Sequence, residues 1–154
     1  MITNDEPSLL ALNRLIRAGR DAELGFMAAA DGASDPELVQ LFAGYALQRA
    51  KAVVELQERV RTLRATPEDN GTVGGEVHRA WMGLKDAMDL NDLHGILAEC
   101  VRGEEAAVKA YREALAERDL DQLTRDLIQR QYEQVQAAHD RVRQLRDSAT
   151  YAHR

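Results

Sequence analysis

Residues 35–64, DPELVQLFAGYALQRAKAVVELQERVRTLR, have the pattern of one long amphipathic α-helix. Asp35 can cap the helix, Pro36 has the backbone angle of a first helical turn, and Glu37 favours the positive helix end. Side chains at helical spacing then form one stripe, which predicts a buried face. The stripe consists of Leu38, Phe42, Tyr45, Arg49, Ala52, Leu56, Val60 and Leu63.

Three further segments have the same helical spacing, at about residues 8–30, 91–116 and 119–147. The composition of the 154 residues agrees, because aromatic residues make up only 5% and the helix formers Ala, Leu, Glu, Arg and Gln dominate. The β-branched and aromatic residues that a sheet needs are scarce. The sequence therefore predicts an all-α protein, with one domain over residues 1–154 and a core over about residues 8–147.

The connection between the second and third helices, about residues 65–90, is long enough to cross a bundle from end to end. It opens with a turn-forming composition and continues with helical spacing, which predicts a short extra helix anchored by Trp81. A shift of the chain by 82 positions places RVRTLR (residues 59–64) on RVRQLR (residues 141–146). Two similar helical hairpins joined by one long crossover form the ferritin-like arrangement of the four-helix bundle.

Charge and cysteine content restrict the partners and the compartment. The formal net charge of −6 disfavours binding to nucleic acid or to an anionic membrane. Cys100 is the only cysteine, which excludes an internal disulfide and suits a reducing compartment. Neither an 18-residue apolar run nor a secretory signal pattern is found, so we expect a cytoplasmic protein without a membrane span.

Polar residues on otherwise apolar stripes are the candidates for a site: Glu23, Arg49, Glu104 and Gln131, with His139 near the edge of the fourth stripe. Burying a lone carboxylate is costly, so each carboxylate needs a partner. Carboxylates on facing helices also suit a di-iron or di-manganese centre, which takes a Glu from each of two helices and Glu-x-x-His from the other two.

The spacing argues against a complete dimetal centre. In an antiparallel hairpin, Glu23 should face residues 44–47, GYAL, which contain neither Glu nor His. Glu104 and Glu105 should face residues 128–131, IQRQ, which also lack both. His139 falls about ten residues further along, roughly 15 Å from the carboxylates at a rise of 1.5 Å per residue.

Two interpretations of these positions stay open. In the first, Arg49 bonds the carboxylates and forms a buried polar layer with Glu23, Glu104 and Gln131 that sets the helix register. In the second, Glu23, Glu104, Glu105 and His139 bind iron or manganese.

Three minor alternatives concern His94, Cys100 and Trp81. His94 and His139 mirror each other across the second turn and, with Glu133 or Asp140 nearby, could hold zinc or copper, although three well-placed ligands are not evident. Cys100 flanks the inner stripe, where a small buried thiol is the common outcome. A small-molecule pocket under Trp81 is the third alternative.

Four segments resemble a bacterial four-helix-bundle family of the ferritin-like superfamily, catalogued as domain of unknown function 2383. They are GTVGGEVHRAWMGLK (residues 71–85), ECVRGEEAAVKAY (residues 99–111), QRA (residues 48–50), and residues 131–143 with AHDRVR. The resemblance spans about residues 9–147. It implies a ferritin-like bundle, a cytoplasmic location and a link to stress physiology, and it supplies no catalytic residues.

Two functional hypotheses follow. The first is a non-enzymatic bundle without a cofactor that acts through assembly or partner binding, with a homo-oligomer or an unidentified protein as the partner. The second is a metal-binding protein or oxidase with a degenerate carboxylate site that uses iron or manganese.

Overall fold

The computed structural model describes residues 4–68, 81, 83–89 and 92–151. In these ranges the regular structure is entirely helical, as the sequence predicts. The helices are α1 (Glu6–Gly32), α2 (Pro36–Thr62), α3 (Leu84–Asp89), α4 (Leu93–Leu115) and α5 (Gln122–Asp147). A 3₁₀ turn, Ala149–Tyr151, follows α5.

Aspartate side chains define where three of the four long helices begin. Asp35 accepts hydrogen bonds from the backbone N–H groups of Glu37 and Leu38, as the sequence predicts. Asp92 caps α4 and Asp121 caps α5 in the same way. Each cap satisfies backbone donors that the helix itself leaves without acceptors.

The ends of two elements differ from the prediction. Helix α2 ends at Thr62 rather than near residue 64, because Arg64 has the left-handed backbone angle φ 62° that terminates a helix. The buried part of the chain also extends past the predicted end of the core at about residue 147, because Tyr151 is buried and its hydroxyl donates to Asp35 Oδ2 at 2.9 Å. This contact ties the end of the chain to the start of α2.

The long helices pack as two antiparallel hairpins, α1 with α2 and α4 with α5, and α1 also packs along α4. Helices α2 and α5 are neighbours too, but they contact each other less extensively. Part of the predicted extra helix in the crossover is α3, whereas its expected beginning at residues 73–80 lies outside the described residues. None of the helices in the described ranges combines the length and the hydropathy that a membrane span requires.

The buried side chains form two clusters along the bundle. We call the first the aromatic core, because Phe26, Phe42 and Trp81 dominate it. The second, the aliphatic core, is built on Leu12, Leu15, Ile16, Val53 and Leu56. Burial of such side chains is the main favourable contribution to folding, at about 1.5–3 kcal/mol for each fully buried large apolar side chain.

Candidate functional site

Arg49 and Glu104 form an ion pair in the centre of the bundle. Arg49 Nη1 donates to Glu104 Oε1 at 2.7 Å, and Nη2 donates to Oε2 at 2.5 Å. The exposed fractions of the two side chains are 2% and 0%. Both carboxylate oxygens therefore bind one guanidinium fork, in the bidentate geometry that fits these two groups best.

The helices place this pair between the two cores. On α2, Arg49 follows Ala46 of the aromatic core and precedes Val53 of the aliphatic core. On α4, Glu104 has the corresponding position between Val101 and Val108. The pair therefore forms a polar layer between the aromatic core and the aliphatic core.

The surroundings favour the charged form of Arg49. Burial by itself would lower the pKa of Arg49, but the negative charge and the hydrogen bonds of Glu104 raise it above its ordinary value. The guanidinium carbon also lies 5.6 Å from the centre of the Phe26 ring, within the range of a cation–π contact. Arg49 Nε finds no acceptor among the described residues.

Groups beside the pair are held in their neutral forms. Burial raises the pKa of Cys100 well above its ordinary value, and the charges of Glu104 and Glu99 raise it further. Burial likewise raises the pKa of Tyr111. A thiol in this state is a poor nucleophile, so Cys100 is the small buried residue that the sequence predicts.

Gln131 forms a separate contact within the aliphatic core. The hydroxyl of Tyr111 donates to Gln131 Oε1 at 2.7 Å, and Gln131 Nε2 donates to the carbonyl of Ala52 and to Glu55 Oε1, both at 3.1 Å. Gln131 therefore links α4, α5 and α2. The sequence pattern gives Tyr111 only an apolar role, because its polar partner lies on another helix.

Glu23 does not join Arg49. Its Oε1 accepts from Arg20 Nη1 at 2.7 Å, and its side chain keeps 20% exposure. The physical reason is local, since residues three apart on a helix are neighbours and Arg20 reaches Glu23 within α1. Of the four residues predicted to form one layer, the structure brings together Arg49 and Glu104.

Glu105 and His139 lie closer than the sequence predicts. Glu105 Oε1 is 3.9 Å from His139 Nε2, although the predicted separation is about ten residues along the bundle. The prediction fails because it places the centre of the hairpin too early in the chain. Tyr111 contacts Gln131, 20 residues further on, and a shift of the hairpin centre moves the facing position twice as far. His139 is buried, and its Nδ1 lies 3.1 Å from Asp140 Oδ1.

Glu105, His139 and Asp140 do not form a metal site with three converging ligands. Within the described part of the chain, no three His, Cys, Asp or Glu side chains converge as metal ligands would. Glu23 and Glu104, the other members of the predicted metal set, bind Arg20 and Arg49. His94 has interactions of its own among the described residues.

Trp81 is the predicted apolar anchor of the crossover. Its ring lies edge-on to Phe26, with 5.0 Å between the ring centres. A methyl group at Gly25 or Gly103 would clash with the indole ring, so both glycines make room for it. An open groove of about 340 Å³ borders Trp81, Leu24 and other residues of α1 and α3.

A second polar cluster, absent from the sequence interpretation, surrounds Asp121. Its carboxylate accepts from the hydroxyls of Ser8 and Thr124, at 2.7 Å and 2.6 Å, and from Arg59 Nη2 at 2.6 Å. The cluster joins α1, α2 and α5 at one end of the bundle. Asp121-x-x-Thr124, an Asp cap with a hydroxyl at its third position, is the local signal that could have indicated it.

Comparisons with known proteins agree with this architecture. A family model described as Domain of unknown function (DUF2383) matches residues 8–117. A solved structure of a Dps1 mutant from Mycobacterium smegmatis is similar, with a TM-score of 0.74 and 15% sequence identity over 94% of this chain and 99% of that one. No curated protein sequence matches the chain. The structural match supports the predicted ferritin-like helical fold.

Proposed function

Because the chain belongs to the DUF2383 family and has a ferritin-like helical fold, we propose that it is a non-enzymatic bundle that acts through assembly or partner binding. The observation that carries the proposal is the ion pair of Arg49 and Glu104. A guanidinium occupies the centre of the bundle, and it binds both oxygens of the buried carboxylate.

The electrostatics of the pair support this role. A metal ion at Glu104 would have to displace a bidentate arginine and leave a buried positive charge without its counterion. Such an uncompensated charge destabilises a protein by about 3–5 kcal/mol. The pair instead links α2 to α4 across the centre of the bundle and provides register and specificity for helix packing, a role that is best attested for buried polar groups.

One observation favours metal binding as a second candidate function. His139 Nε2 lies 3.9 Å from Glu105 Oε1, and Asp140 contacts the other ring nitrogen, Nδ1, so Asp140 orients the imidazole while Nε2 and Glu105 face each other. Iron or manganese could bind at this place if Glu105, which is exposed, turned towards the imidazole. The predicted cytoplasmic location and link to stress physiology are independent of which candidate is correct.

Elemental analysis distinguishes the two candidates. The protein is purified without chelator or affinity-tag metal, and iron and manganese are measured per chain, together with the rate at which added Fe(II) is oxidised. We expect metal far below one ion per chain, and Fe(II) oxidation at the rate of the buffer alone. Light scattering on the same sample should give a mass above the 17.2 kDa of one chain.

Two matched variants show which carboxylate binds any metal that is found. Stoichiometric metal that is lost in Glu104→Gln would overturn the proposal, because the ion would then occupy the position of Arg49. Stoichiometric metal that is lost in Glu105→Gln, but kept in Glu104→Gln, would establish the second candidate instead.

A further inference from the structure

Helix α2 has an apolar line on its outer side. Ala43, Leu47, Ala50 and Val54 follow one another at intervals of four, three and four residues, so they share one face of the helix; we call this line the α2 seam. Leu47 and Val54 are exposed by 57% and 52%. The face lies opposite the one that buries Arg49, and Ala50 on it is half-buried beside a groove that Gln134 of α5 also lines.

The α2 seam is complementary in shape to a second copy of itself that runs antiparallel. Small and large side chains alternate along it, in the order Ala, Leu, Ala, Val. An antiparallel second copy would place Ala43 opposite Val54 and Leu47 opposite Ala50, so that each large side chain meets a small one. A parallel copy would place Leu47 opposite Leu47, which keeps the helices apart. Self-complementarity of this kind is what a two-fold symmetric contact requires.

Gly44, beside the seam, supports close approach by another chain. A methyl group built on Gly44 would have no neighbouring atom within 4 Å. At the other glycines of the described ranges, such as Gly19 against Val53, a side chain of this chain fills the space. A glycine inside a helix weakens it, and at Gly44 the packing of this chain gives no reason for that cost.

The charges at the two ends of α2 also favour the antiparallel orientation. Asp35 and Glu37 lie at its beginning, and Arg61 and Arg64 lie at its end. Reversing one copy brings the acidic end of each helix to the basic end of the other, and Glu37, on the flank of the seam, then falls at the level of Arg61, which continues the seam face. A parallel copy would place like charges together.

We propose that a second copy of this chain docks antiparallel on the α2 seam, around a two-fold axis between Leu47 and Ala50. This inference deepens the proposed function and rests on it, because it names both the surface and the partner through which the bundle acts. We assign this surface to a second copy of the same chain, because the alternation of side-chain size and the charges at the two ends of α2 are both complementary to an antiparallel α2.

The first test compares Leu47→Glu with Leu123→Glu by sedimentation over a range of protein concentrations. Leu123 is a matched control, because it is 66% exposed but lies on α5. We expect the wild type to form dimers, or larger assemblies that contain this contact. Leu47→Glu should weaken association at least about tenfold, because it buries an unpaired carboxylate. Leu123→Glu should leave association unchanged, and circular dichroism should show equal helix content.

The second test exchanges charges between the ends of α2. Glu37→Arg and Arg61→Glu should each weaken association a few-fold, since each places like charges together in the antiparallel contact. Arg61 also bonds Glu58 in its own helix, so the effect stays modest. The double variant should recover wild-type association. A parallel contact predicts no loss in either single variant, and that result would overturn the proposed orientation.

The outcomes separate this inference from the proposed function. A wild type that stays at 17.2 kDa at all concentrations overturns docking on the α2 seam. Association that Leu47→Glu does not weaken also overturns it, but leaves assembly through another face intact. Metal bound at Glu104 would overturn the proposed function, and none of the variants on α2 changes that residue.

Discussion

Two arginine–carboxylate contacts hold helices of this bundle together in very different surroundings. Arg49 and Glu104 lie in its centre, with exposed fractions of 2% and 0%. Arg59 and Asp121 lie at one end, with exposed fractions of 18% and 27%. In both pairs the two residues come from different helices, and a guanidinium nitrogen lies within 2.6 Å of a carboxylate oxygen.

The difference shows how water determines what such a contact does. In the centre, each charge depends entirely on its partner, because water cannot replace it. At the end, Asp121 keeps contact with solvent and has further donors in Ser8 and Thr124. The central pair should therefore control whether the bundle packs correctly, whereas the outer pair should make stability depend on pH.

The largest expected effect is that of removing one charge from the centre. Glu104→Gln keeps the shape of the side chain but leaves Arg49 buried without a counterion. We expect the free energy of unfolding to fall by about 3–5 kcal/mol, measured by urea denaturation.

Glu113→Gln is the matched control, because Glu113 also pairs with an arginine, Arg14, but both side chains are well exposed. That substitution should cost less than about 1 kcal/mol, as is usual for surface pairs. Equal losses in the two variants would contradict the distinction between buried and exposed pairs.

A smaller effect is expected when Asp121 is protonated. Burial tends to raise the pKa of Asp121, but hydrogen bonds from Thr124, Ser8 and Arg59 lower it to about 2, against an ordinary value of 3.8. The unfolded chain then binds a proton at a higher pH than the folded one. The stabilisation is complete above the ordinary value and is lost as the pH falls through about 2.

This loss should amount to about 1–2 kcal/mol, after allowance for solvent screening. It can be measured as the change in unfolding free energy between about pH 5 and pH 2. Asp121→Asn cannot titrate there, so the difference between wild type and variant should shrink towards acid. A constant difference would show that the outer contact does not titrate as expected.

The fold could be predicted from the sequence because it depends on local patterns. The four long helices follow from the spacing of apolar residues, and the beginning of α2 follows from the residues Asp35-Pro36-Glu37. The burial of Cys100 and Trp81 follows from the same spacing. Each of these features is determined within a few turns of one helix.

The site was less predictable because it depends on which helices face each other and at what level. Arg49 needs a carboxylate, but the sequence alone does not distinguish Glu23, which Arg20 binds within α1, from Glu104, which lies 55 residues away. The contact between Glu105 and His139 was missed for a related reason. An error of a few residues in the position of the second turn doubles when it is carried to the facing helix.

The smallest effect is expected from removing both central charges. The double variant Arg49→Met with Glu104→Leu leaves no buried charge without a counterion, and it also removes the cost of desolvating both ions. We expect an unfolding free energy within about 1 kcal/mol of the wild type, although Glu104→Gln alone loses several times more. If the double variant were as unstable as Glu104→Gln, the attraction between the two charges would exceed the free-energy cost of removing both from water. A near-neutral result, together with a change in association or in the sharpness of unfolding, would show that the pair serves the specificity of helix packing. The outer contact offers no such contrast, since water can compensate either Arg59 or Asp121 when its partner is removed.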